Sequence, residues 1–328
     1  MEWTFEQRGQ LFRLAEAGLL TQEQLERAAM HAPLQAGAHE WQRMFERLLA
    51  FGGALLLGAA VVFFLAYNWD ALHRFAKFGL AAAALMACGL VALWSVPRGI
   101  VFRAALFGAC VTTGALLALI GQAYQTGADV WQLFAAWAAL ILPFALLSRS
   151  SASWGLWLVV LNVASLRALS QLGAWSYFHG MLQLLPLFTL AGLNLAVLLL
   201  VESLGHALLP GARRRMARLA ALGVVVPLCM AASMAWSASH LWPALLVFTL
   251  AMAAGSIVYR SWRPDIALLA LISFATIAVL TAGLAELLLD GDFLGLIGLG
   301  LFVILSSAAA GRWLTGLQRA DSVQRKLT

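Results

Sequence analysis

Of the 328 residues, 62% are hydrophobic and only 11% are charged, and the mean hydropathy is +0.86. A soluble domain carries about 25% charged residues, so a water-soluble globule is excluded and lipid is the solvent for most of this chain. The net charge of +6 does not point to nucleic acid, because the basic residues fall between apolar runs, where positive-inside topology accounts for them.

Residues 1 to about 44 are polar and hold no apolar core of signal-peptide type, so no cleaved leader is expected. Leu11, Phe12, Ala15, Leu19 and Leu25 form a helical stripe that Gly18 interrupts, and Thr21 with Gln24 fits a capping box that restarts a helix. The expectation is a short cytoplasmic hairpin with helices at about 4–17 and 22–31, followed by a loop through Pro33 and Gly37. Its acids outnumber its bases, which argues against an electrostatic membrane anchor. Docking of a cytoplasmic protein partner is the role that such a hairpin suggests.

Ten apolar runs follow, at about 47–67, 76–96, 102–121, 130–147, 153–171, 181–201, 216–236, 241–259, 266–288 and 293–314. They lack the two-residue alternation of a barrel. The fold expected is therefore all-α: a polytopic integral membrane bundle of about ten transmembrane helices over 45–328, preceded by the hairpin over 1–44. Pro227 is expected to kink the seventh span. Cys88, Cys110 and Cys229 each lie inside an apolar run with no C-x-x-C pair, so neither a disulfide framework nor a zinc site is indicated.

With the N-terminus inside, the internal segments hold all the Lys and Arg except Arg74, Lys77 and Arg167. A wrong span count would scramble that bias, so it supports both the number and the direction, with both termini cytoplasmic. The outer side gathers Asp70, Asp129, Glu286, Asp290 and Asp292 instead. No internal repeat or inverted pair of interrupted helices marks a secondary transporter.

Two outer stretches hold more polar chemistry than their neighbours. Tyr67-Asn68-Trp69-Asp70 ends the first span, and it reads either as an interfacial aromatic belt, with Asn68 closing one helix and Asp70 opening the next, or as a ligand-contacting turn. Between the third and fourth runs, Gln122, Tyr124, Gln125 and Thr126 crowd hydrogen-bonding side chains into a loop that Gly121 and Gly127 suit for tight turning. Asp129, with Gln132 three positions on, fits an N-cap for the fourth helix. Thr112 and Thr113 extend that polarity into the third span. Arg167 lies roughly 20 Å along the fifth span from Trp154, at about 1.5 Å per residue. There it either snorkels to the headgroups or pairs with Asp129 or Asp70. Asn162 and Asn194 stand mid-span, where hydrogen bonding between helices is the ordinary use of an amide. Glu202 is placed to pair with the arginines that follow it, and the cluster Arg213, Arg214, Arg215 and Arg218 sets topology or meets anionic lipid.

Enzyme signatures are absent: the six histidines are scattered, with no H-E-x-x-H, no G-x-S-x-G and no Walker loop. No catalytic residue, metal or cofactor is assigned, and an enzymatic role is not the expectation.

Ala17-Gly18-Leu19-Leu20-Thr21, Phe51-Gly52-Gly53, Ala66-Tyr67-Asn68-Trp69 and the run from Gly121 to Asp129, continued by Trp131, Leu133-Phe134, Trp137 and Pro143, together resemble the DUF2157 family of predicted bacterial membrane proteins. The resemblance covers the chain to about residue 165. It implies a multispanning protein of the bacterial inner membrane with a short cytoplasmic N-terminal region, and it brings no activity with it. Two functions remain in view. The first is binding or transport of a small polar or lipid-derived ligand through an outward-facing pocket lined by Asn68, Trp69, Asp70, Gln122, Tyr124, Gln125, Asp129 and Arg167. The second is a non-transporting scaffold or sensor that uses the hairpin to dock a partner. In either case membrane lipids are the immediate neighbours.

Overall fold

The computed structural model describes residues 24, 38–124, 129–171, 183–208, 213–288 and 293–324. Apart from Gln24, the expected N-terminal hairpin lies outside them. Among the described residues there are ten long helices and no strand, and all ten are long and apolar enough to cross a membrane. They are α1 (Ala38–Tyr67), α2 (Arg74–Trp94), α3 (Ile100–Tyr124), α4 (Val130–Ser148) and α5 (Ser151–Gln171), then α6 (Leu185–Leu208), α7 (Arg213–Ser237), α8 (Trp242–Ile257), α9 (Ile266–Leu288) and α10 (Phe293–Gln324). A 3-10 turn, Ser239–Leu241, leads into α8, and a π-helical turn, Val258–Trp262, extends it. The protein is a polytopic helical membrane protein. Each helix overlaps the run expected for it. The first begins earlier than expected, so that residue 45 falls inside α1 and not at a boundary.

Short links alternate the helices between two ends. One, the arginine-rich end, carries Arg98, Arg149, Arg213–Arg215, Arg218 and Arg263. The opposite end, called here the far end, carries Asn68, Tyr124, Asp129 and Gln171. The link between α4 and α5 is only Arg149 and Ser150, with Arg149 in the left-handed region at φ 48°. The Ser148 hydroxyl accepts the Ser150 N–H (3.3 Å) and so helps to hold this tight reversal.

Two helices act as hubs. α3 packs against α1, α2, α4 and α5, and α7 packs against α5, α6, α8 and α9. Of the residues in each spanning window, 61% are buried in α3 and 50% in α7, against at most 33% elsewhere. The most apolar stretch of α10 buries nothing, although the helix packs against α9 and buries Leu314 near its end. α7 runs through Pro227 without a break in the helix. The missing N–H of Pro227 leaves the Gly223 carbonyl without its usual partner.

One device recurs in both halves. The Trp137 indole on α4 donates to the Cys110 carbonyl on α3 (2.9 Å), and its ring lies where a Cβ on Gly114 would be. The Trp236 indole on α7 donates to the Val279 carbonyl on α9 (3.0 Å), and its ring lies where a Cβ on Gly283 would be. In each case the glycine stands four residues past the accepting carbonyl. Removing one Cβ opens the groove far enough for an indole to reach a carbonyl already committed to its own helix, which has a second lone pair to offer. Thr112 and Thr113 also turn inward: they donate to Gly108 (2.9 Å) and Ala109 (2.7 Å) within α3, and Thr112 also meets the Cys88 thiol on α2.

The halves meet at an amide pair. Asn194 Nδ2 on α6 donates to Asn162 Oδ1 on α5 (2.6 Å), and Asn162 Nδ2 donates back to Asn194 Oδ1 (3.2 Å). Each amide nitrogen also donates one turn back in its own helix, to Leu158 (2.8 Å) and Leu190 (2.9 Å). Asn194 is fully buried and sits over Gly223 of α7, where a Cβ would collide with it. The expected hydrogen bonding between these two spans is present.

Candidate functional site

At the far end, the turn after α1 is built from its own residues. Asn68 Nδ2 donates to the Phe64 carbonyl (2.9 Å) and closes α1 as expected. Asp70, however, does not open the next helix: α2 starts at Arg74 with His73 at its N-cap, and Asp70 is exposed. Tyr67 is exposed, whereas Trp69 turns inward against the cluster of Leu65, Ala81 and Leu119. There it meets a residue that sequence reasoning treated only as an outer cation. Lys77, in the first turn of α2, is 7% exposed and holds its Nζ 3.7 Å from the Trp69 ring centroid. The negative face of the indole replaces part of the lost hydration. The aromatic surface that a cationic ligand would use is thus already occupied by the protein's own ammonium.

Phe78, one residue past Lys77, stacks on Tyr124 at the end of α3 with centroids 5.6 Å apart. Phe78 and Lys77 on α2 thus connect Tyr124 at the end of α3 with Trp69 after α1. Gln122 and Tyr124 are exposed, and Gln125 lies outside the described residues. Asp129 takes the N-cap position of α4 but makes no side-chain cap bond. Its Oδ1 accepts instead from Gln171 Nε2 at the end of α5 (3.1 Å). Arg167, one turn before Gln171 on the same helix, is exposed, and among the described residues it forms no ion pair with Asp129 or Asp70. The far end thus resolves into two groups: Trp69, Lys77, Phe78 and Tyr124 on α1–α3, and Asp129 with Gln171 on α4–α5.

The arginine-rich end holds a cavity of about 320 Å³ lined by Glu202, Arg213, Arg214, Ala217, Tyr259, Arg263, Pro264, Asp265 and Leu268. Glu202 is its hinge. Its Oε2 pairs with Arg213 (2.5 Å) at the start of α7 and with Arg263 beyond the π turn, and both arginines also donate to the Glu202 carbonyl (3.0 and 2.9 Å). The pairing expected of Glu202 with the following arginines is present, and Arg263 adds a partner more than sixty residues away in sequence. Asp265 caps α9 through Oδ1, accepting from Ala267 (3.0 Å) and Leu268 (3.3 Å), while Oδ2 takes Arg218 Nε (3.1 Å). The π turn puts Arg263 in reach, since its N–H bonds back to Val258 (2.9 Å) and the extra residue per turn swings the chain toward α6. Three arginines against Glu202 and Asp265 leave the lining with a net positive charge. Arg214 is exposed and takes no part in the Glu202 cluster. The hydropathy pattern could not foresee this cavity, because it joins ends of three helices distant in the chain.

Among the described residues, no three His, Cys, Asp or Glu side chains come together as metal ligands. No curated protein and no solved structure matches the chain. The model of the DUF2157 family, described as a predicted membrane protein, matches residues 12–154, from ahead of α1 through α4 into the start of α5. Over that stretch, which is less than half of the chain, the sequence is similar to the DUF2157 family, and α1–α4 are long and apolar enough to cross a membrane.

Proposed function

We propose that this is a ligand-binding protein of the bacterial inner membrane, with both termini in the cytoplasm, that takes a small anionic molecule into the cavity between α6, α7 and the π turn. The observation that carries this reading is the cavity's cationic excess: Arg213 and Arg263 share one carboxylate, Glu202, while Arg214 lines the same space outside that cluster. An anion entering there meets guanidinium donors beside a low-dielectric wall of Ala217 and Leu268, where charge-assisted hydrogen bonds gain strength. The bias of Lys and Arg toward this end supports its cytoplasmic orientation.

A second reading keeps the ligand at the far end, in an outward-facing pocket of Asn68, Trp69, Asp70, Gln122, Tyr124, Gln125, Asp129 and Arg167. It is favoured by the exposed Asp129, which gives its carboxylate to Gln171 in place of capping α4. One experiment separates the two. The purified full chain is titrated with inorganic phosphate and small carboxylates, with thermal stabilisation as the readout. The cavity reading expects stabilisation that Arg214→Gln reduces about tenfold in apparent affinity and Asp129→Asn leaves unchanged. The reverse pattern selects the far end, and no stabilisation by any anion removes the cavity reading.

A further inference from the structure

A second opening lies beside the cavity, on the far side of the Arg218–Asp265 pair. It is a groove of about 490 Å³ between the start of α5, α7 and α9, lined by Ser151, Ala152, Arg215, Arg218, Leu219, Leu222, Ala267, Leu268 and Leu271. We propose that this groove holds an anionic phospholipid, with one acyl chain along α7 and α9 and the phosphate on Arg215 and Arg218.

The groove changes character along its length. At its mouth stand two guanidinium groups and one hydroxyl: Arg215 Nη1 lies 3.4 Å from Ser151 Oγ, and Arg218 bonds Asp265 through Nε alone. The terminal nitrogens of Arg218 are left with no hydrogen bond among the described residues, and both arginines are exposed. Leu222 lies four residues deeper than Arg218 on α7, about 6 Å at the helical rise. From there the groove is apolar, lined by Leu219, Leu222 and Leu271. A cationic mouth above an apolar trough at headgroup depth is complementary to a phosphate joined to an acyl chain. A small anion would make no use of the leucines, and an uncharged lipid would offer no anion to the terminal nitrogens of Arg218. A zwitterionic headgroup would bring a cation of its own toward Arg215. The cavity of the proposed function rests on Glu202, Arg213, Arg214 and Arg263, none of which lines this groove, so the two readings stand or fall separately.

The test is native mass spectrometry of the full chain, purified and offered equal amounts of phosphatidylglycerol and phosphatidylcholine. The expected result is retention of phosphatidylglycerol over phosphatidylcholine by about fivefold or more, the attraction associated with a single arginine near an anionic surface. Arg215→Gln, which gives up only the contact with Ser151, should bring that ratio toward unity. Leu222→Trp, which fills the trough and keeps the charges, should lower retention of both lipids while the helical content stays unchanged. Equal retention of the two lipids by the unaltered chain would overturn the proposal. So would a preference that survives Arg215→Gln, or glycerol phosphate competing as well as the whole lipid, which would mean that the leucines contribute nothing.

Discussion

Around α3, burial is continuous from Ala104 to Cys110, almost two full turns, so helices surround it on every side there. Yet the apolar contacts it makes fall into separate clusters: one about Cys110 and Ile141, one about Leu65 and Leu119, and one about Ala92 and Leu106. Around α7 the buried positions form a stripe from Met216 to Ala235, with the opposite face toward lipid. Most of that stripe, from Met216 to Leu228 with Ala232, nonetheless belongs to one contiguous cluster reaching from Ala145 on α4 to Leu314 on α10, while Ala231 and Ala235 join a smaller cluster with Leu184 and Leu241. The first hub is enclosed by small residues and local contacts; the second is exposed on one side but tied into a core that spans seven helices. Enclosure and connectedness are separate properties. In lipid, where no hydrophobic drive distinguishes helix from tail, connectedness should decide how far a disturbance travels.

The largest expected effect tests this directly. Leucine at Gly223 of α7 meets the buried Asn194 amide, and leucine at Gly114 of α3 meets the Trp137 ring. Overpacking of this kind costs about 1–3 kcal/mol. Gly223→Leu should lie at the top of that range, because it also breaks the amide pair, and Gly114→Leu near the bottom, because one indole can swing away. Denaturant unfolding in micelles gives both numbers, and a larger loss at Gly114 would reverse the ranking of the hubs.

A smaller effect is expected at the seam. Asn194→Leu should destabilise by about 1–2 kcal/mol, the range for amide bonds between spans. The double change with Asn162→Leu should cost little more than either single change, since both remove the same pair. Additive losses in the cycle would mean that the amides act apart.

The smallest concerns the repeated tryptophan seat. Trp137→Phe and Trp236→Phe each remove one indole hydrogen bond and keep most of the ring, so each should cost about 1 kcal/mol. A twofold disagreement between them would show that the two seats are alike in geometry alone.

The number and order of the spans were legible in the residues because membrane insertion is written in local composition, and each helix needs only its own stretch of apolar side chains; the limits were less so, since α1, α6 and α10 run on into polar sequence. Asn162, Asn194, Asn68 and Glu202 were legible for a related reason: a polar group in or next to hydrocarbon must find a partner, and few were on offer. Lys77 was not. Its position between two apolar runs marks it as an interfacial cation, and only the rotation of α2 against α1 turns it onto Trp69. The same holds for Asp129, whose N-cap position was foreseen while its partner Gln171 sits forty-two residues on, in another helix. The two cavities at the arginine-rich end were hidden for the same reason, since they depend on which helix ends become neighbours.

The clasp between Asn162 and Asn194 bears on how the protein is made. α5 leaves the ribosome before α6, so for a time the first amide sits in the bilayer with only its own helix to bond. The best company available there is another amide, and the next span to arrive brings one. A gene split between these two helices would then yield fragments able to find each other in the membrane, so that the join fastens the two parts as well as dividing them.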